Sequence, residues 1–145
     1  MTNNQYIDAY KKTQQSSNAV TTSHEIVRTL MKELVNSMQK IVLDIQDERK
    51  RKQDNLTIDK VFEEKNARHK SKNLSKALSI IYGLQTSLDF DKALEIANNL
   101  FQLYEYCRHE IIRGFSQKIE DGIIRAIDII RQIMEGWEEI PSLDK

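Results

Sequence analysis

Two amphipathic stripes joined by a very short polar turn limit this chain more than any other feature. Residues 74–112 read LSKALSIIYGLQTSLDFDKALEIANNLFQLYEYCRHEII. Apolar side chains recur at Leu74, Ala77, Leu78, Ile81, Leu84 and Leu88, and again at Leu94, Ala97, Leu100, Phe101, Tyr104, Cys107 and Ile111. Steps of three and four residues are the period of a helix with one buried face. Ser87, Asp89 and Asp91 lie between the stripes and are residues that start helices. Two helices tied so closely fold back antiparallel, and their apolar faces need further helices to cover them.

The rest of the chain supplies those helices. Thr22 or Ser23 can cap a first helix, with Glu25 at its positive end. Its stripe runs Ile26, Val27, Leu30, Met31, Leu34, Val35, Met38, Ile41, Val42 and Ile45, and fades in the charged run 47–52. We read that run as a solvated helix end, because its cations suit the negative pole of the dipole and Asp47, Glu48 and Asp54 dilute it. A second helix is firm over residues 71–88, with Gly83 inside it. The polar stretch before it is either the exposed start of the same helix or a mobile connection. The third helix is expected over 91–113, capped by Asp89 or Asp91 and ended by Gly114. The fourth is expected from Ser116, with a heptad-like seam at Ile119, Ile123, Ile127, Ile130, Met134 and Trp137. Pro141 closes it. The organisation is thus a mobile polar segment 1–22, a helical bundle 23–140 with a lengthened connection at 46–72, and a tail 141–145.

A chain of 145 residues suits one domain. Basic and acidic residues balance to a net charge of zero, which argues against a dedicated nucleic-acid binder. Locally the balance shifts: 47–76 carries ten basic and six acidic residues, 89–110 two and five. The lone Cys107 allows no internal disulfide, the first residues lack a signal-peptide core, and no apolar run is long enough to span a bilayer. We therefore expect a soluble cytoplasmic protein without membrane insertion.

Signs of catalysis are sparse. His24, His69 and His109 form no i, i+4 pair, and none has a glutamate three residues before it, so neither a helical zinc site nor a bundle di-iron site is expected. Cys107 sits on the apolar stripe with Tyr104 and Ile111 and reads as core. There is no glycine-rich phosphate loop, and Glu63-Glu64 and Glu138-Glu139 diverge on a helix. We expect no enzyme, no metal, no cofactor and no small-molecule substrate. What stands out is an apolar surplus: Ile80, Ile81, Tyr82, Ile96, Leu103, Tyr106, Ile124 and Ile129 lie beside the main stripes. Such a surplus either buries a second face within the bundle or leaves a groove for another amphipathic helix.

The chain also resembles the flagellar export chaperones of the FliS family. The resemblance rests on Lys76-Ala77, Ile80-Ile81, Leu84, Ser87-Leu88-Asp89, Ile96-Ala97, Asn99-Leu100 and Tyr104-x-Tyr106, in order and spacing. Tyr6-x-x-x-Tyr10, the stretch 20–27 and Trp137 extend it over most of the chain. Departures are His24 in place of a proline, Met31-Lys32-Glu33 without an aromatic and a glycine, and the longer segment 45–72. The resemblance implies an antiparallel four-helix bundle. It also implies binding of the C-terminal segment of flagellin in the cytosol, which prevents premature polymerisation and aids delivery to the export gate components. Contact residues implied are Tyr10, Ile26, Leu30, Leu34, Ile81, Leu84, Leu88, Leu100 and Tyr104, each of which can equally be core. The alternative is a helical adaptor for a different amphipathic client.

Overall fold

The computed structural model describes residues 23–54 and 59–139. Helices α1 (Ser23–Gln53), α2 (Lys60–Thr86), α3 (Leu94–Gln117) and α4 (Asp121–Glu139) fill them, and no strand occurs among the described residues. Helix α1 packs on α2 and α4, α3 packs on the same two, and α1 meets α3 only marginally across the diagonal. With such short connections this is the neighbour pattern of an antiparallel four-helix bundle. The segment 1–22, Pro141 and the tail lie outside the described residues.

The core follows the stripes. Leu30, Met31, Leu34, Val35, Met38, Ile41, Val42 and Ile45 line α1 from its second turn to its sixth. Ala77, Ile80, Ile81 and Leu84 meet them from α2, Tyr104, Cys107 and Ile111 from α3, and Ile123, Ala126, Ile127 and Ile130 from α4. The Ser37 hydroxyl is buried in this interior without a hydrogen-bond partner among the described residues.

The start of α2 settles between the two readings, and three other helix boundaries differ from expectation, each for a local reason. Helix α2 is continuous from Lys60, its polar first turns up to Asn73 included. The Asp59 carboxylate accepts the Phe62 amide at 2.8 Å and caps it. Its polar residues then pack on α1: Asn66, Lys70 and Asn73 are buried. Asn66 Nδ2 donates to the Asp44 carbonyl at 3.2 Å, Lys70 Nζ to Glu48 at 3.3 Å, and His69 pairs with the Asp44 carboxylate. Helix α3 begins at Leu94, because Asp89 spends its carboxylate on the amides of Asp91 and Lys92, closing a turn instead of capping the helix. It also runs through Gly114 to Gln117 and stops at Lys118, which takes the left-handed conformation at φ 58°. Gly114 is needed for closeness and not for a turn. A Cβ there would lie 2.6 Å from the Ile119 carbonyl and 2.7 Å from Ile123 Cδ1. Helix α4 accordingly starts at Asp121, and Ile119 is an exposed residue of the connection.

Each pole of the bundle has its own fastening. At the α3–α4 turn, Arg49 holds both carboxylate oxygens of Glu120, with Nη1 to Oε1 at 2.8 Å. Lys118 Nζ reaches Glu48 at 2.8 Å. The Arg49 hydrogen bonds hold the Glu120 carboxyl at about 2, far below its ordinary value, despite its burial. Burial pushes Glu48 upward, but the hydrogen bond from Lys118 and the nearby Lys70 charge outweigh it and leave it below its ordinary value. At the opposite pole His24 and Trp137 clasp the start of α1 to the end of α4. The Trp137 indole N–H donates to the His24 carbonyl at 2.9 Å, and His24 Nε2–H donates to the Trp137 carbonyl at 2.6 Å. The rings stack at 4.9 Å and 10°.

Two measurements test this account. Gly114→Ala should destabilise by about 1–3 kcal/mol in urea unfolding, because the methyl group has no room between α3 and the turn. Glu120 titrates lower when folded than when unfolded, so its contribution is complete above the ordinary carboxylate range and lost as pH falls towards about 2. Glu120→Gln should therefore lower the urea midpoint at neutral pH and flatten its fall between roughly pH 5 and 2.

Candidate functional site

Helix α3 occupies a corner, supported by α2 and α4 and nearly free of α1. A helix has four sides to satisfy and α3 buries only the one carrying Ala97, Tyr104, Cys107 and Ile111. Apolar residues therefore emerge on both shoulders. Leu94 at 59% and Ile96 at 63% exposure are nearly open to solvent, and Leu103 is more than a third exposed. Ile96 and Leu103 are seven residues apart and share one shoulder, with half-buried Leu100 between them. The other shoulder holds Leu94 and half-buried Phe101. There Phe90, from the α2–α3 turn, meets the Phe101 ring edge-on at 6.2 Å. Tyr82, also exposed, adds a ring from α2.

The surface is held in place by polar ties that leave it uncovered. Gln85 Nε2 donates to Glu105 Oε1 at 2.9 Å and to the Phe101 carbonyl at 3.4 Å, fixing α3 against α2. Arg108 grips Glu105 with two bonds of 3.1 Å and, with Gln85, draws its carboxyl below the ordinary value. On the other side Arg125 Nε donates to the Tyr106 hydroxyl at 3.3 Å.

The nine residues named from sequence separate into groups. Tyr10 lies outside the described residues. Leu30, Leu34, Ile81, Leu84 and Tyr104 are buried in the core and present no surface in this state. The same three-and-four spacing that marks a client-facing stripe also marks a helix–helix seam, and here it serves the seam. Ile26, Leu88 and Leu100 are partly buried at the rim of the core and keep some exposure. Of the apolar surplus, Ile80 and Ile81 are core, whereas Tyr82, Ile96, Leu103 and Ile124 are open. Phe90 and Leu94 were missed. Phe90 sits in a turn where helical period carries no information, and Leu94 fits the main stripe but is exposed as the first residue of its helix.

The chemistry of this surface is that of contact. Burial pushes the Cys107 thiol up to about 12, and the Sγ–H points to the Ala126 carbonyl at 3.8 Å, so the sulfur is a protonated core atom. Burial likewise raises the Tyr104 hydroxyl to about 12. Among the described residues no three metal-capable side chains converge, and no helix is long and apolar enough to cross a membrane.

The model of the family described as "Flagellar protein FliS" matches residues 6–143. The chain belongs to the FliS family. The flagellar secretion chaperone FliS of Vibrio cholerae is 29% identical over 136 residues, covering 93% of this chain and 88% of that protein. The FliS chaperone of Salmonella typhimurium is 35% identical over 72 residues, 49% of this chain and 53% of its own length. That of Escherichia coli is 30% identical over 79 residues, 54% and 58% respectively. No solved structure gives a significant match. These relatives carry the name flagellar secretion chaperone. His24, the residue found where the FliS resemblance leads one to expect proline, supplies one face of the clasp on Trp137.

The two classes of apolar residue separate by stability. Leu34→Ala should cost about 2–5 kcal/mol in chemical unfolding, as buried leucines do. Ile96→Ser should stay within about 0.5 kcal/mol of the parent.

Proposed function

We propose that this FliS-family protein is a cytosolic chaperone of flagellin. It binds the C-terminal segment that flagellin subunits use to polymerise, keeps them apart and aids their delivery to the flagellar export apparatus. The observation that carries this reading is the exposed apolar surface of α3, present although the core of the bundle is complete without it. Family membership and the chaperone names of the relatives support it.

The physical mechanism is coupled folding and binding. A disordered apolar segment gains a partner for its side chains when it becomes helical along Ile96, Leu100 and Leu103, or across Phe90, Leu94 and Tyr82. Ordering that segment costs free energy, so the complex is specific without being permanent. Release then needs only a competing receptor, and no nucleotide. Ile26, Leu88 and Leu100 supply the inner edge of the contact. Leu30, Leu34, Ile81, Leu84 and Tyr104 fix the positions of the helices that bear it. Tyr10 would contribute from the N-terminal segment.

Pull-down of purified flagellin, full-length and lacking its C-terminal segment, tests the proposal. Full-length flagellin should be retained and the truncated form lost. Ile96→Asp with Leu103→Asp should weaken capture at least about tenfold, since two buried aliphatic contacts are each worth 1 kcal/mol or more. Equal recovery of both flagellins would overturn the reading; recovery of neither would favour a helical adaptor with another client.

A further inference from the structure

A second surface lies on the α1–α2 hairpin and has nothing to do with α3. On α1, residues Asn36, Lys40, Leu43, Asp47 and Lys50 step by four, three, four and three, and all are exposed. On α2, Val61, Lys65, Arg68 and Lys72 step by four, three and four, and all are exposed. Each row lies one residue before the row that joins the helices: Asp44, Glu48 and Arg51 on α1, and Phe62, Asn66, His69 and Asn73 on α2. In antiparallel helices, one step back from the contact row turns to the same side on both. The two rows therefore form one outer face, on the side of the hairpin away from the core.

That face is basic and partly apolar. Lys40, Lys50, Lys65, Arg68 and Lys72 have no carboxylate within ion-pair distance among the described residues. Against them stand Asp47, which already meets Arg51 at 3.8 Å, and Glu64 at the edge. Between the cations project Leu43 at 61% and Val61 at 59% exposure. In the neighbouring seam Glu48 is paired with Lys70 and Lys118, and the Asp44 carboxylate is held by His69, so the unpaired cations lie in the outer rows.

We propose that this face rests on an anionic lipid bilayer, as a peripheral contact without insertion. Lysine and arginine heads meet lipid phosphates while their stems, with Leu43 and Val61, reach the boundary of the acyl chains. A nucleic acid fits less well. Its backbone would satisfy the cations but has no use for two open aliphatic groups, and the one aromatic ring here, Phe62, is already covered by Arg51 at 4.2 Å. The face runs over about 20 Å of helix, enough to span several headgroups. This inference does not depend on what α3 binds.

Flotation of the purified protein with vesicles tests it, using phosphatidylcholine alone and phosphatidylcholine mixed with phosphatidylglycerol. The protein should float with the mixed vesicles only, and high salt should release it. Lys65→Glu, Arg68→Glu and Lys72→Glu together should reduce binding at least about tenfold, given roughly fivefold per cation. Leu43→Ser should weaken it less. Circular dichroism checks the fold, and if the triple glutamate variant does not fold, the triple glutamine variant is read in its place. Equal flotation of the variant, equal binding to neutral vesicles, or tighter binding to duplex DNA at the same salt would each overturn the proposal.

Discussion

The apolar seam along α1 is the constraint on which the rest of the bundle depends. Side chains from Leu30 to Ile45 repeat over four turns without a polar break except Ser37, so α1 can be covered only by two neighbours lying along its length. Helices α2 and α4 are those neighbours, and α3 closes the ring by resting on both. Helix α3 fully buries only five of its 24 residues, a smaller share than any other helix. The exposed apolar surface is therefore a geometric consequence of a four-membered ring with one strongly hydrophobic member.

Beyond Ile45 the character of the α1–α2 contact changes. The interior is replaced by Asp44 and Glu48 on α1, which meet Asn66, His69 and Lys70 across the seam, while Asn73 donates within α2 to the His69 carbonyl. Such a polar seam gives less net stability than apolar packing would, because desolvation offsets much of the attraction. It does fix the register, since Asn66 meets the Asp44 carbonyl and Lys70 meets Glu48, each at one height. Lys118 and Glu120 join the same network from the α3–α4 turn, so the pole is aligned by charge where the middle of the bundle is aligned by shape.

Period-3.6 patterning made the four helices and most of the core readable. Met31, Ile41, Ile81, Ile111 and Ile127 lie where their stripes put them. It left the start of α2 open between a long helix and a mobile connection, because Asn66 and Lys70 look solvent-facing until Asp44 and Glu48 are placed opposite. It placed the end of α3 too early, because glycine serves close packing as well as helix termination, and only the neighbour at Ile123 distinguishes the two at Gly114. The candidate surface was half legible. Ile96, Leu103 and Tyr82 were visible as surplus, but spacing alone cannot say which of two apolar rows faces inward. Burial separates Ile81 and Leu84 from Ile96 and Leu103.

The clasp between His24 and Trp137 has a consequence for how the molecule is observed. Trp137 is the only tryptophan in the chain, and it sits at the edge of the core, at the pole where α1 begins and α4 ends. Its indole is held by His24, so its emission is sensitive to opening of that pole. The protein thus carries a native optical probe of the contact between the start of α1 and the end of α4.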